Sequence, residues 1–175
     1  MEGLRLAIPD ETMLEEVASY RAAMVAAGSS MDGTGPMRTV EDPAMWLKIN
    51  RDMEHAETCP AHLVTATQYV LIRESDGRIV GMLQFRHTLN EYLRRFGGHI
   101  GYSVRPDERR KGYAAEMLRL ALEQCRARGL ERVLITCNVD NEGSRRTIIR
   151  NGGVFEGTEV DPSDGHETQR WWIAL

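Results

Sequence analysis

The segment "RPDERRKGYAAEML" (Arg105–Leu118) links a strand pattern to a helix pattern, and it decides the fold. Within it, Arg109, Arg110 and Lys111 run directly into Gly112, after which apolar residues recur at helical spacing. The start of a helix carries partial positive charge and unpaired N–H groups, so it favours anions over cations. Three cations at this place therefore predict a bound anion such as a pyrophosphate, with a solvated basic turn as the alternative.

Two familiar phosphate-binding patterns are absent from the chain. Neither G-x-x-x-x-G-K-[ST] nor G-x-G-x-x-G occurs in the sequence. Gly112 can nevertheless adopt a positive φ and lets a ligand approach the backbone closely. Successive N–H groups at such a turn form an anion cradle, so the turn itself is the predicted pyrophosphate site.

Composition and charge narrow the classes of function. A chain of 175 residues suits one domain, which we expect to span residues 1–175. The net charge of −4 argues against nucleic acid or an anionic membrane as a partner. The three cysteines lack metal-ligand spacing, so no metal site is expected. No signal peptide or membrane-spanning run is apparent, which predicts a cytoplasmic location.

The hydrophobic patterns along the chain predict an α+β fold with a mixed, mostly antiparallel central sheet flanked by helices. An Asp-Gly turn between the second and third strands predicts a hairpin. The expected strands cover residues 4–8, 61–74, 79–87, 99–104, 131–137, 154–160 and 168–175, and the expected helices cover residues 9–27, 43–55, 113–128 and 144–151.

A family resemblance becomes specific at this point. "VRPDERRKGYAAEML" resembles the acetyl-CoA signature of the GNAT superfamily of N-acetyltransferases, with Arg109, Gly112 and Ala114 at the signature positions. "NEGSRRTIIRNGG" is similar to the second conserved segment of that superfamily, with Asn141 and Ser144 at the expected spacing. The segment "GGHIGYSVRP" also resembles the uncharacterised predicted acetyltransferases that carry GGHIGYSxRP. The resemblance covers the C-terminal half closely and the whole chain in element order.

The resemblance implies a GNAT fold in which two central strands splay apart and hold acetyl-CoA as the cosubstrate. The pantetheine arm is expected to pair with backbone groups near Val104, with Asn141 and Ser144 beside it. The residues expected to hold the pyrophosphate are Arg109, Arg110, Lys111, Gly112, Tyr113 and Ala114.

Acetyl transfer to an amine requires removal of a proton from the ammonium group. The leading candidate for this base is His99, which begins the strand beside the motif and titrates near neutral pH. The alternative for His99 is a surface or hydrogen-bonded histidine at the end of a strand. His87 is a second candidate, as a base or as a substrate contact, and Glu91 is a third. The alternative for both is an ordinary polar loop, which is favoured for Glu91.

The leaving thiolate needs a proton, and here the chain departs from the family pattern. Many members carry a tyrosine seven residues after the motif asparagine, where this chain has Ile148. Tyr102 and Tyr113 are the candidate acids in its place, with a packing role as the alternative for Tyr113. Otherwise water supplies the proton or the thiolate leaves unaided. A cysteine acyl-enzyme through Cys137 is the rival chemistry, although a buried thiol more often packs as a small hydrophobe.

The predicted function is direct transfer of an acetyl group from acetyl-CoA to a primary amine of a small molecule or peptide. The resemblance implies that segments 29–39 and 86–98 shape the acceptor site. Asp32, Glu41 and Asp42 suggest a cationic acceptor, with a solvated acidic face as the alternative. A non-catalytic acyl-CoA-binding sensor or interaction module is the alternative, and Ile148 favours it. Dimers are common in the family, so the resemblance allows a homodimer.

Overall fold

The computed structural model of the protein describes residues 3–175, and residues 1–2 of the predicted domain lie outside the described residues. The strands are β1 (Leu4–Ala7), β2 (Ala66–Arg73), β3 (Arg78–Arg86), β4 (Ile100–Val104), β5 (Arg132–Asn138), β6 (Val154–Val160) and β7 (Glu167–Ala174). The α-helices are α1 (Leu14–Ala26), α2 (Pro43–Glu54), α3 (Tyr113–Ala127) and α4 (Glu142–Arg150). Short 3-10 turns cover Glu11–Met13, Gly35–Arg38 and Pro106–Glu108, and a π-helical turn covers Leu93–Gly97.

The strands form two antiparallel sheets, which confirms the predicted α+β class. One sheet has the order β1-β2-β3-β4, and the other has the order β5-β7-β6. The predicted hairpin between β2 and β3 is present, and Gly77 of its Asp-Gly turn has a φ of 73°. No helix among residues 3–175 is both long and apolar enough to cross a bilayer.

Successive side chains of a strand point to opposite faces of a sheet. In the first sheet, helices cover both of these faces. On one face, Tyr20 of α1 and Trp46 of α2 are buried against Val70 and Met82. On the other face, α3 and α4 form a core that includes residues of both sheets. Its buried members include Leu71, Val80, Phe85, Met117, Leu118, Val133, Ile135 and Ile148. Each such side chain contributes about 1.5–3 kcal/mol by leaving water, so this shared core holds the two sheets side by side.

Two helices begin elsewhere than the periodicity predicts, and in both cases a side-chain cap explains the shift. α1 begins at Leu14 because the carboxylate of Asp10 accepts a hydrogen bond from the N–H of Thr12 (2.9 Å) and starts a 3-10 turn first. α4 begins at Glu142, before the expected Ser144. There the side chain of Asn141 accepts from the N–H of Ser144 (3.0 Å), so Asn141 is the N-cap of α4.

A buried carboxylate fixes the turn between β4 and α3. The side chain of Glu108 is 3% exposed, and it pairs with Arg73 (2.9 Å), Arg78 (2.5 Å) and Lys111 (2.6 Å). Burial alone raises the pKa of Glu108, but hydrogen bonds from Lys111 and Arg73 outweigh it and lower the pKa overall. Glu108 therefore remains ionised and ties the turn to β2 and β3.

We expect Glu108→Gln to lower the free energy of unfolding by about 3–5 kcal/mol, because three cations would lose their buried counter-ion. The neighbouring Asp107→Asn is the control, since Asp107 also pairs with Arg78 but its side chain is 55% exposed. That change should cost about 0–1 kcal/mol. Urea unfolding of both variants measures the difference, and equal losses would show that burial of Glu108 does not matter.

The same pKa shift predicts acid sensitivity. Because the pKa of Glu108 is lower in the folded state, its contribution is complete above the unfolded pKa of about 4.3 and is lost as the pH falls through the folded value.

Candidate active site

β4 and β5 lie side by side at one end and separate at the other. The N–H of His99 donates to the carbonyl of Leu134 (2.7 Å), and the N–H of Leu134 donates to Nδ1 of His99 (2.9 Å). Among the described residues, this pair, in which His99 immediately precedes β4, is the only hydrogen-bonded link between the two strands. The two strands therefore form a V that is closed at His99 and open toward Val104 and Asn138.

The register shows which backbone groups of β4 face this opening. Arg86 N–H donates to the carbonyl of His99 (2.7 Å), and Arg105 N–H donates to the carbonyl of Val80 (2.9 Å). Hydrogen-bonded and non-hydrogen-bonded pairs alternate in an antiparallel ladder. The odd-numbered residues of β4 therefore bond to β3, and the N–H and C=O groups of residues 100, 102 and 104 point into the opening.

The same argument applies to β5. Leu175 N–H donates to the carbonyl of Glu131 (2.9 Å), and Val139 N–H donates to the carbonyl of Glu167 (3.0 Å). The odd-numbered residues of β5 therefore bond to β7, and the backbone groups of residues 134, 136 and 138 point toward β4. Two rows of backbone donors and acceptors thus line the walls of the V.

The turn before α3 stands at the open end of the V and has the backbone of an anion cradle. Gly112 has a φ of 85°, and Arg110, which is not a glycine, has a φ of 64°. A left-handed conformation costs roughly 1–2 kcal/mol for a residue with a Cβ, so the rest of the turn must enforce it at Arg110. An ideal Cβ at Gly112 would meet no atom within 4 Å, so glycine is required there by φ rather than by crowding.

The three cations of this turn have different surroundings. Lys111 pairs with Glu108 (2.6 Å), as described above. Nε of Arg109 donates to the carbonyl of Val104 (3.0 Å), and its NH2 group contacts the hydroxyl of Ser29. Arg110 is exposed and has no carboxylate partner within residues 3–175. Of the three, Arg110 is the cation that is most available to an anion.

The first two residues of α3 both pack their side chains in the shared core. The ring of Tyr113 is buried in the shared core, and its hydroxyl lies 3.5 Å from Arg73. Ala114 packs against the same core. For both residues, the groups that face the cradle are the backbone N–H groups of the first helical turn.

On the opposite side of the opening, the first turn of α4 meets a side chain from β4. The hydroxyl of Tyr102 lies 2.7 Å from Oγ of Ser144, three residues after the N-cap Asn141. Burial raises the pKa of Tyr102, and the hydrogen bond with Ser144 offsets only part of that increase. Tyr102 therefore holds its proton throughout the neutral range.

Two other positions considered for catalysis, the usual tyrosine position and Cys137, lie in the core beside Tyr102. Ile148 is 0% exposed and packs in the shared core, so the usual tyrosine position carries a buried alkyl group. Cys137 is buried at the end of β5, and burial raises the pKa of its thiol. A thiol that holds its proton is a poor nucleophile, so the geometry does not favour an acyl-enzyme at Cys137.

His99 is buried at the closed end of the V. Its Nδ1 accepts from a backbone N–H, so the proton of the neutral ring resides on Nε2 and no lone pair remains free. Burial, together with the charge of Arg86, lowers the pKa of His99 to about 4. The geometry thus favours a strand-joining role for His99 over the predicted general base.

The other predicted polar candidates lie apart from the opening. The ring of His87 contacts the hydroxyls of Thr65 and Thr67 (2.8 Å each) and NH2 of Arg128 (3.0 Å) at the end of α3. Glu91 is exposed on the segment between β3 and β4. Neither residue is brought to the backbone rows that line the V.

The structure brings to β4 a cluster that sequence patterns did not reveal. Arg86 donates to the carbonyl of Gly97 (3.0 Å), and an ideal Cβ on Gly101 would lie 3.2 Å from its NH2 group. Gly33 packs so closely on Gly101 that a Cβ there would lie 2.2 Å from the Gly101 carbonyl oxygen. The carboxylate of Asp32, next in the chain, interacts electrostatically with both Arg86 and Tyr102. The sequence carries no signal for this cluster, because residues 33, 86 and 101 are distant in the chain.

Comparisons with known proteins support a single family. Residues 36–152 match the family model described as Acetyltransferase (GNAT) family. Comparison with curated sequences gives no match. Among residues 3–175, no group of three or more histidine, cysteine or acidic side chains is positioned to hold a metal ion.

Solved structures show the same fold at low identity. The RimL ribosomal L7/L12 α-N-protein acetyltransferase in complex with coenzyme A is 18% identical, with a TM-score of 0.74 over 98% of this chain and 94% of that chain. The ribosomal-protein-S5-alanine acetyltransferase from Vibrio fischeri is 17% identical, with a TM-score of 0.73 over 99% and 94%. The microcin C7 self-immunity acetyltransferase MccE, in complex with acetyl-CoA and AMP, is 17% identical, with a TM-score of 0.73 over 98% and 92%.

Two of these neighbours hold CoA or acetyl-CoA, in agreement with the predicted cosubstrate. The family match spans more than half of the chain, and the splayed strands, the turn before α3 and the capped α4 lie within it or at its edge. The chain therefore belongs to the acetyltransferase (GNAT) family, which confirms the predicted fold and the predicted acyltransferase class.

Proposed function

We propose that the protein transfers the acetyl group of acetyl-CoA directly to a primary amine of a small molecule or peptide. The observation that carries the proposal is the V between β4 and β5, whose open end adjoins the left-handed turn before α3. The two features together offer backbone partners for an extended amide-containing arm and a cradle for two phosphates.

The donor would be held mainly by backbone groups. We assign the pyrophosphate to the N–H groups from Arg110 to Ala114, with the exposed guanidinium of Arg110 beside them. We assign the pantetheine amides to the inward-facing groups of Tyr102 and Val104. The Val104 carbonyl already accepts from Arg109, so its N–H is the group left for the arm.

Two groups of β4 are suited to the chemical step. An inward-facing backbone N–H of β4 can stabilise the oxyanion that develops on the thioester carbonyl. The hydroxyl of Tyr102 can donate a proton to the leaving thiolate, since its raised pKa keeps it protonated and it reaches the first turn of α4. Ile148 offers no hydroxyl, so Tyr102 is the acid that we propose.

The acceptor would enter from the side of β4 that Asp32 occupies. The carboxylate of Asp32 is exposed, and Oγ of Ser30 donates to it (2.9 Å). It can hold the ammonium group while water removes the proton. The structural neighbours are named for different acceptors, including ribosomal proteins and spermidine, which agrees with an acceptor site shaped by variable segments. In this chain those segments are residues 29–39 and 86–98.

The alternative function is a non-catalytic acyl-CoA sensor or interaction module, and the burial of Ile148 favours it. The two functions differ in turnover. Release of free CoA, measured with a thiol reagent against a panel of primary amines and N-terminal peptides, tests the transferase directly. Tight acetyl-CoA binding without release above the hydrolysis background, for every amine, would favour the sensor.

The cradle predicts a specific loss of CoA affinity in Gly112→Ala. Both Gly112 and Gly129, at opposite ends of α3, have positive φ and open space around them, so Gly129→Ala is a matched control. Each change should cost roughly 1–2 kcal/mol of stability. Only Gly112→Ala should weaken CoA binding, by at least tenfold in titration calorimetry, because only that cradle would be distorted. Equal affinities for CoA would move the pyrophosphate elsewhere.

The proposed acid predicts that Tyr102→Phe lowers turnover about 10²–10⁴-fold while CoA affinity changes little. Ser144→Ala is the control, because it removes the hydrogen-bond partner of Tyr102 and leaves the phenol in place. Steady-state kinetics with the best amine of the panel, together with CoA titration, make the comparison. A Tyr102→Phe variant with wild-type turnover would exclude the phenol as the acid.

His99 can be tested with two substitutions that differ in one hydrogen-bond acceptor. His99→Ala leaves the buried N–H of Leu134 unsatisfied and should cost about 1–3 kcal/mol of stability. His99→Asn keeps an acceptor near the Nδ1 position, so we expect it to recover much of that loss and to retain turnover. A general base would give the opposite pattern, with turnover lost in a stable His99→Asn protein.

The pH dependence of stability gives an independent measurement. His99 has a folded pKa of about 4, below the unfolded value of about 6.5, so the unfolded state binds more protons in this window. Its contribution to stability is therefore complete above about pH 6.5 and is lost as the pH falls to about 4. The unfolding midpoint of His99→Asn should depend less on pH across this window.

A further inference from the structure

A cavity of about 500 Å³ lies on the face of the second sheet that points away from the shared core. On β7, Trp171 and Ile173 are buried in that core, so the alternating side chains of Arg170 and Trp172 point to the opposite face. The same alternation places Arg132 of β5 on this opposite face. The lining of the cavity includes four arginines, which are Arg94, Arg95, Arg132 and Arg170.

The π-helical turn before β4 lies against the same face of the sheet. Oγ1 of Thr136 on β5 donates to the carbonyl of Phe96 in the turn (2.6 Å). The turn therefore contributes Arg94 and Arg95 to one wall of the cavity, while the sheet contributes the other two arginines. Cations from segments that are distant in the chain thus converge on one space.

Two of these guanidinium groups have carboxylate partners. Nε of Arg170 donates to Glu156 (2.9 Å), and its Nη1 donates to Glu159 (2.8 Å). Nε of Arg95 donates to the other carboxylate oxygen of Glu159 (2.8 Å). The two arginines and the two carboxylates balance one another, so this part of the lining adds no net charge.

The other two guanidinium groups have no carboxylate partner. Arg94 and Arg132 are both exposed, and neither forms an ion pair within residues 3–175. The guanidinium carbon of Arg132 lies 4.2 Å from the ring centroid of Trp172, and this cation–π contact holds the side chain without using a hydrogen bond. The N–H donors of Arg132 are therefore left for another partner. The cavity keeps two positive charges, although the chain as a whole carries a net charge of −4.

We propose that this cavity binds a small organic dianion with two carboxylate groups, one held by Arg94 and the other by Arg132. A guanidinium group presents a fork of N–H donors that matches both oxygens of a carboxylate. Leu89 and the ring of Trp172 offer apolar contact to the body of the ligand between its charged ends. The volume of the cavity lies in the range of small-molecule sites, which combine apolar walls with a few polar groups.

The site is separate from the proposed acetyl-transfer site. Arg132 begins β5 and Asn138 ends it, so a length of strand of roughly 20 Å lies between the cavity and the open end of the V. The cavity is linked to the closed end by a T-shaped contact between the rings of Trp172 and His99, whose centroids are 6.4 Å apart. A dianion held against Trp172 would therefore act on the point where His99 joins the two sheets.

The test titrates the full chain with isophthalate, an aromatic ring with two carboxylates, at constant ionic strength. We expect saturable binding in calorimetry and a shift of the Trp172 indole resonance in ¹H–¹⁵N spectra. Benzoate has the ring but one carboxylate, and sulfate has two charges but no apolar body, so each should bind at least tenfold more weakly. Absence of saturable binding, or equal affinity for all three anions, would overturn the proposal.

Substitutions of single arginines locate the binding. Arg94→Gln and Arg132→Gln should each weaken isophthalate binding at least tenfold, because each removes one of the two partners. Arg150→Gln is the matched control, since Arg150 is also exposed and without an ion pair in the described part of the chain, but lies on α4 at the other face of the sheet. Thermal unfolding confirms that each variant is folded. Equal affinity in the three folded variants would overturn the assignment.

Gly112→Ala separates this site from the proposed acetyl-CoA cradle. That variant should bind isophthalate with the affinity of the wild type, whatever its affinity for CoA, because Gly112 lies beyond the open end of the V. A loss of isophthalate binding in Gly112→Ala, or competition between isophthalate and acetyl-CoA, would place the dianion in the V and overturn the proposal. The affinity for CoA itself tests only the proposed function.

Discussion

The paired hydrogen bonds between His99 and Leu134 are the constraint on which the rest of the structure depends. They join two antiparallel sheets at one point, while the core beneath α3 and α4 holds the sheets together. Beyond that point, the inward-facing backbone groups of β4 and β5 have no strand to bond to. Buried backbone groups need partners, so a gap between two such strands is a place where an extended ligand is stabilised. A ladder that continued past Leu134 would satisfy those groups and close the opening.

The cations of "RPDERRKGY" have separate tasks, and this resolves their apparent conflict with the start of a helix. Lys111 neutralises the buried Glu108, and the side chain of Arg109 donates to the Val104 carbonyl of β4. Neither cation therefore lies unpartnered at the positive end of the α3 dipole. Arg110 is exposed and has no carboxylate partner among residues 3–175, and the rest of the turn imposes its left-handed conformation. One buried carboxylate, that of Glu108, thus shapes the turn. The positive charge that is left to attract an anion is that of Arg110.

Much of the fold could be predicted because its signals are local. The period of the apolar residues, the Asp-Gly turn and the glycines that flank the helix expected at residues 113–128 gave strands and helices close to those observed. The junction between the two sheets could not be predicted, because it depends on a bond between a histidine ring and a backbone N–H 35 residues away. Periodicity also cannot place a capping side chain, which is why α4 begins before the expected Ser144.

The same distinction between local and distant signals applies to the predicted site. The turn before α3 is contiguous in sequence, and the positive φ of Gly112 agrees with the expectation, whereas that of Arg110 was not predicted. Arg86, Gly33 and Gly101 meet only through packing between segments distant in the chain, and no spacing rule brings them together. His99 was singled out for its titration, whereas its environment suppresses that titration and uses the ring as a hydrogen-bond acceptor.

The buried alkyl group at Ile148 and the phenol at Tyr102 are two consequences of one arrangement. An aromatic hydroxyl from α4 and the ring of Tyr102 would compete for the space beside Ser144 and Cys137, because Tyr102 crosses the opening to reach that turn. With an aliphatic residue on α4, the space goes to the side chain from β4. The hydroxyl is then carried by the strand whose inward-facing backbone we propose as the binding wall for the thioester arm. Its position relative to the leaving sulfur would depend on one rigid strand rather than on the distance between a strand and a short helix.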